Sequence, residues 1–134
     1  ITKKDKKEEF FALQNVPDGF RATSEATISS MGAILLNLRF NDVKSAKHVS
    51  ALKPSQETTV LTFDQVTIRM LDYEIDEKLF TKFIFEFPEA LQKKFNPEFK
   101  SLAEKTNRWI YQIPGYKRRM IARPLSGLIE KISE

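Results

Sequence analysis

Across residues 58–87 polar and apolar side chains trade places at nearly every step, and that period of two commits the middle of the chain to a sheet. Leu61 and Phe63 flank polar Thr62; Val66, Ile68 and Met70 alternate with Thr67 and Arg69; Leu71, Tyr73 and Ile75 alternate with Asp72, Glu74 and Asp76. A last run carries Phe83, Phe85 and Phe87 to Pro88. Asp64-Gln65 reads as the hairpin turn between the first two runs. A three-stranded antiparallel meander follows, with Leu61, Phe63 and the later Phe residues facing a core and Asp72, Glu74 and Asp76 forming a wet face.

The flanks obey a different period. After the turn signal Asn15-Val16-Pro17-Asp18-Gly19, Thr23 or Ser24 can cap a helix whose apolar face is Ile28, Met31, Leu35 and Leu38, widened by Ile34. Leu38, Phe40 and Val43 suggest an extended exit, and residues 45–57, with Pro54, read as loop or weak strand. Beyond Pro88 the spacing is helical again through Leu91 and Phe95. Asn96-Pro97-Glu98 has the form of a helix start, so two short helices are expected, the second burying Phe99, Leu102 and Ala103. Residues 109–113 read as a strand with Trp109, Tyr111 and Ile113 on its inner face. Pro114-Gly115 is a turn, Tyr116 begins a basic helical segment, and Pro124 opens a last helix facing Leu125, Leu128, Ile129 and Ile132 inward. Residues 10–13 read as a short strand, preceded by a solvated charged lead-in over residues 1–9. The expectation is an α+β domain over residues 10–134, an antiparallel sheet with helices packed on one face.

A chain of 134 residues with 41% hydrophobic side chains and eleven Phe can bury a core without disulfides or metals. Cysteine is absent, which excludes thiolate zinc sites and disulfide frameworks but suits cytosol and periplasm equally. No apolar run approaches the roughly 18 residues that span a bilayer. The net charge of +4 comes from 22 basic and 18 acidic residues, largely interleaved, a balance that reads as solubility more than as a nucleic-acid footprint.

With one His, no Cys and no Gly-rich phosphate loop, most recurrent active-site designs are missing, so the chain reads as no enzyme and as binding no cofactor or metal. His48 has no motif around it and reads as a plain surface or strand position. Ser29 and Ser30 lie inside a helix, away from any strand-to-helix elbow of the hydrolase kind. Asp72, Glu74, Asp76 and Glu77 show the alternation of a half-wet strand, without the Asp-rich, Gly-centred loop that holds calcium. The one basic and aromatic concentration is Lys117, Arg118, Arg119 and Arg123 near Trp109, Tyr111 and Tyr116. These four basic residues are the candidate contacts for a protein partner or an anion, and for nucleic acid in the alternative reading.

The segment Phe11-Ala12-Leu13-Gln14-Asn15-Val16-Pro17-Asp18-Gly19, the run Leu36-Asn37-Leu38-Arg39-Phe40-Asn41-Asp42-Val43, the strand Val60-Leu61-Thr62-Phe63 and the ending Trp109-Ile110-Tyr111-Gln112-Ile113-Pro114-Gly115-Tyr116-Lys117 with Leu128-Ile129 together resemble a bacterial domain of unknown function, family 4340. The resemblance implies an envelope protein held by an N-terminal membrane helix, encoded beside ABC transporter components and related to gliding-motility auxiliary proteins. It therefore implies a fragment of a longer, membrane-anchored periplasmic protein whose partners are transporter subunits, with no small-molecule substrate. Where the family often has Asp-Gly in the hairpin, this chain has Asp64-Gln65. The family carries no catalytic residues to transfer.

Overall fold

The computed structural model describes residues 1–133, and of Phe95 and Asn96 the backbone alone. The architecture is α+β, with every strand pairing antiparallel. Within the span read as one domain, the chain gathers into two compact units: Ile1–Leu38 with Gly115–Glu134, and Arg39–Pro114.

The Arg39–Pro114 unit is built on the expected meander. Strands β3 (Gln56–Leu61), β4 (Thr67–Ile75) and β5 (Lys78–Glu86) pair in sequence, and β6 (Trp109–Gln112) and β2 (Asp42–Ser45) extend the sheet to the order β2-β6-β5-β4-β3. The hairpin at Asp64-Gln65 closes through Thr62, whose backbone bonds Val66 and Gln65 and whose hydroxyl accepts from Val66 N at 3.0 Å. Gln65 sits at φ 62°, the left-handed residue of a three-residue hairpin loop. The tighter turn from β4 to β5 is Asp76-Glu77, both at positive φ (50° and 62°), as a two-residue type I′ connection requires.

The expected wet face holds at Glu74 and at Asp76 in the turn after β4, both exposed, and is corrected at Asp72. Met70, Leu71, Asp72 and Tyr73 are buried in succession, because both sides of the sheet are covered there. On one side Val49 joins Leu71, Tyr73, Phe80 and Ile110 in a core cluster. Val49 arrives on a 3-10 turn, Ala46–Val49, capped by Ser45, within a stretch expected to be loop or weak strand. On the other side Phe83 packs with Phe40 and Tyr111, and Phe99 stacks on Phe87 at 4.2 Å. Asp72 survives burial there by accepting a hydrogen bond from the Thr81 hydroxyl at 2.5 Å, directly across the ladder.

Phe99 belongs to α2 (Glu89–Asn107), a single helix rather than the two short ones expected at Asn96-Pro97. Proline inside a helix forfeits a backbone bond and costs about 3 kcal/mol. One semi-buried stripe, Leu91, Phe99, Ala103 and Thr106, nevertheless runs past Pro97 and keeps both halves on the sheet, whereas Leu102 faces out. The side chains of Phe95 and Asn96, assigned to the apolar face and the cap, lie outside the described residues.

One strand phase is also reversed, and that of β6 holds at Tyr111 and Ile113 but not at Trp109. In β3, Val60 lies opposite Ile68, so Leu61 (69% exposed) and Phe63 face solvent. In β6, Ile110 enters the core and Trp109 is exposed, although Ile113 is buried as expected. A shift of one residue exchanges faces, and at the edge strand β3 apolar content alone does not fix the phase; β6 lies between β2 and β5 with both faces covered, Ile110 on the side of Phe80 and Tyr111 on the side of Phe83.

The other unit pairs β1 (Phe20–Ala22) with β7 (Ile129–Lys131), and a bridge between Thr2 and Ala12 takes the place of the strand expected at residues 10–13. The charged lead-in therefore joins this unit at Thr2. Ser24 caps α1 (Glu25–Gly32), its hydroxyl accepting from Thr27 N. Gly32 is where the ring of Phe11 rests: a Cβ there would lie 2.5 Å from it. Of the residues placed on the helix by spacing, Leu35 falls in the turns beyond its end and Leu38 after them, and Asn37 at φ 52° stops the chain from rewinding. The last helix expected after Pro124 is instead a single 3-10 turn, Leu125–Gly127, followed by β7. Gly127 weakens a helix, and β1 offers Ile129 a partner strand. Leu128 is buried as expected, while Leu125 and Ile132 face out.

Candidate functional site

The four basic residues singled out by sequence lie in the Ile1–Leu38 and Gly115–Glu134 unit, three of them on α3 (Gly115–Ile121) and Arg123 just after it. They do not serve one purpose. Lys117 is half-buried, and its ammonium donates to the carbonyl oxygens of Ile34 (3.1 Å) and Leu36 (2.9 Å). Those carbonyls lie in the turns after α1, where backbone acceptors run out of helical donors and a cation is favoured by the helix dipole. Lys117 thus ties α3 to the end of α1. Arg118 is half-buried, while Arg119 and Arg123 are exposed; the stem of Arg123 lies over Gly127. Of the aromatics grouped with them, Tyr116 shares their unit, whereas Trp109 and Tyr111 belong to the sheet unit.

One concavity in this part of the molecule is apolar. Phe10, Phe11, Leu13, Val16 and Phe20 line a groove of about 470 Å³ whose floor is Ile28 of α1. Each wall has a local cause. Phe11 is anchored from both ends, its amide donating to Ser29 Oγ at 3.0 Å and its ring filling the space above Gly32. Pro17 and Gly19, the latter at φ 80°, turn the chain so that Phe20 begins β1, and the Phe20 amide closes that turn on Pro17 O. Phe10 and Phe20 remain 46% and 39% exposed. Arg21 and Glu25 are the polar lining; Arg21 is already engaged with Glu130, directly opposite on β7, at 2.7 Å.

No family model, curated protein or solved structure matches the chain.

The other residues weighed from sequence have structural positions. Ser29 accepts from Phe11, and Ser30 donates to Ala26 O. His48 is exposed, with Nδ1 3.0 Å from Ser45 O. Asp72 is buried against Thr81, while Asp76 and Glu77 form a turn. Among the described residues no His, Asp and Glu side chains gather in a group able to hold a metal ion. Glu57, Arg69 and Tyr111 have displaced titrations. Arg69 holds the Glu57 carboxyl below its usual range by a 2.7 Å hydrogen bond, the same bond raises Arg69, and burial raises Tyr111. Glu57 and Arg69 pair on the sheet surface, and Tyr111 packs on Phe40 at 4.4 Å. Sequence reasoning missed the groove, although Phe10, Phe11 and Phe20 around a Pro-Asp-Gly turn were a usable signal of apolar side chains exceeding local core demand.

Proposed function

We propose that this chain is a non-catalytic binding or assembly domain of the bacterial cell envelope, periplasmic and accessory to an ABC-type transport system. It acts by gripping an apolar segment of a transporter or envelope subunit. The observation that carries the reading is the groove with Phe10 and Phe20 left in solvent. Aromatic side chains offer much contact area at little rotamer cost, and a partner that covers them gains burial energy the free chain forgoes. The resemblance to family 4340 supports the envelope setting. Among the described residues no helix is long and apolar enough to cross a membrane, so membrane association would come through the bound subunit or through an anchor beyond these residues.

The test is recovery of partners from detergent-solubilised envelope membranes, using the full chain as bait. Transporter subunits are expected with the native sequence and are lost with Phe10→Glu/Phe20→Glu, a pair of changes at exposed positions. Recovery of no transporter or envelope subunit, or equal recovery by the doubly substituted chain, overturns the reading.

A further inference from the structure

The sheet of the Arg39–Pro114 unit has two edges, and they are finished differently. At one edge, β2 is only four residues long, and the amide of Val43 is already bonded to Asp42 Oδ1 at 2.8 Å. At the other, β3 runs six residues without Pro, Lys or bulge, and among the described residues only β4 pairs with it. Natural sheets usually blunt such an edge because it offers a template for another strand.

Which backbone groups β3 offers follows from the ladder. Residues 62 and 66 continue the register of Leu61 with Thr67, and Thr62 N donates to Val66 O. In an antiparallel ladder hydrogen-bonded and non-hydrogen-bonded pairs alternate. Val60, Thr58 and Gln56 therefore spend their backbone groups on β4. Leu61, Thr59 and Glu57 point theirs outward.

We propose that this edge pairs antiparallel with the β3 of a second copy, about a two-fold axis through Thr59, joining the two five-stranded sheets into one. Centring on Thr59 is the register that engages every outward-pointing residue: Thr59 exchanges bonds with its own counterpart, and Glu57 does so with Leu61 of the second copy. On the same side of the sheet, Glu57 then faces an apolar side chain rather than another carboxylate. On the other side, Val60 meets Thr58 of the second copy, a pair of β-branched residues suited to cross-strand packing. Centring on Glu57 would set two carboxylates directly against each other, which is disfavoured. Charge and hydrogen bonding thus select one register. Leu61, the most exposed large apolar residue among those described, gains cover in it.

The experiment is sedimentation equilibrium of the full chain with two opposite charges placed on the axis. Native protein is expected to self-associate to a dimer. Thr59→Lys and Thr59→Glu, each setting like charges face to face, raise the dimer dissociation constant about tenfold or more, and an equal mixture of the two variants dimerises again. Thr59→Lys also places a cation opposite Arg69 of its own sheet, so circular dichroism first confirms its fold; should it fail, native protein against Thr59→Glu decides the matter. Native protein that stays monomeric up to its solubility limit overturns the proposal. So does a Thr59→Glu chain that dimerises as tightly as native, or an edge found occupied only by an extended segment of another protein.

Discussion

If Lys117 is a structural tie, replacing it should cost stability in a way that its neighbour Arg119 does not. Lys117→Met keeps most of the aliphatic stem and removes the ammonium that donates to Ile34 O and Leu36 O. Hydrogen bonds to a charged group are worth about 1.5–3 kcal/mol each when shielded. Leu36 is 66% exposed, so water can replace the donor at its carbonyl and that bond contributes little net. Ile34 is 5% exposed, and its carbonyl stands to lose more. The sum comes to about 1–2 kcal/mol. With a urea dependence of about 2 kcal/mol per molar, the unfolding midpoint should fall by about 0.5–1 M with an unchanged slope. Amides of residues 34–38 should exchange faster. Arg119→Met, at an exposed position, should stay within about 0.5 kcal/mol of native. Equal midpoints for Lys117→Met and native protein would refute the tie and return Lys117 to the pool of ligand contacts.

Gly32→Ala should destabilise by about 1–3 kcal/mol, since the new methyl would stand 2.5 Å from the Phe11 ring; Phe11→Leu in the same background should recover part of the loss in urea titrations. Glu77→Gly should raise stability by about 0.5–1 kcal/mol, because Glu77 holds φ 62° in the turn between β4 and β5 where glycine is free of the left-handed penalty; an unchanged or lowered midpoint would contradict that reading of the turn. Tyr111 keeps its proton more tightly folded than unfolded, so its contribution is fully present below its ordinary value of 10.0 and is lost as pH rises through the higher folded value. Ultraviolet titration should therefore show a late-ionising phenol contribution that disappears in Tyr111→Phe, and stability above pH 10.0 should fall less steeply in that variant.

The meander was legible because its information is local. A run of alternation, a short polar turn and a terminating Pro88 specify strands without reference to anything distant, and β3, β4 and β5 lie where the pattern puts them. What failed was whatever depended on the covering layer. Asp72 alternates with Leu71 and Tyr73 just as a wet carboxylate would; it is buried because Thr81, nine residues on, supplies a hydroxyl and because aromatic side chains cover that face of the sheet. Val49 reads as loop because one residue of a 3-10 turn carries no periodicity. Pro97 reads as a helix start because local chemistry favours one, and only contact along the sheet overrides it.

The candidate site was less legible for the same reason carried further. The groove depends on β1 meeting β7, strands more than a hundred positions apart in the chain, and Phe20 lines it only because that pairing aims β1. The basic segment stood out in sequence as an unassigned charge concentration, yet a cation's role is decided by the nearest unsatisfied acceptor rather than by its neighbours in the chain. For Lys117 that acceptor is the turn after α1, more than eighty residues away. A functional reading built on all four basic residues must therefore do without its first member. Arg119 and Arg123 retain solvent access, so an anion that binds this segment should be held chiefly by guanidinium groups, whose planar fork suits paired oxygens better than a single ammonium does. Binding should then survive Lys117→Met in any sample that remains folded and fall with Arg119→Lys. The reverse order would place the ammonium on the ligand and not on the backbone.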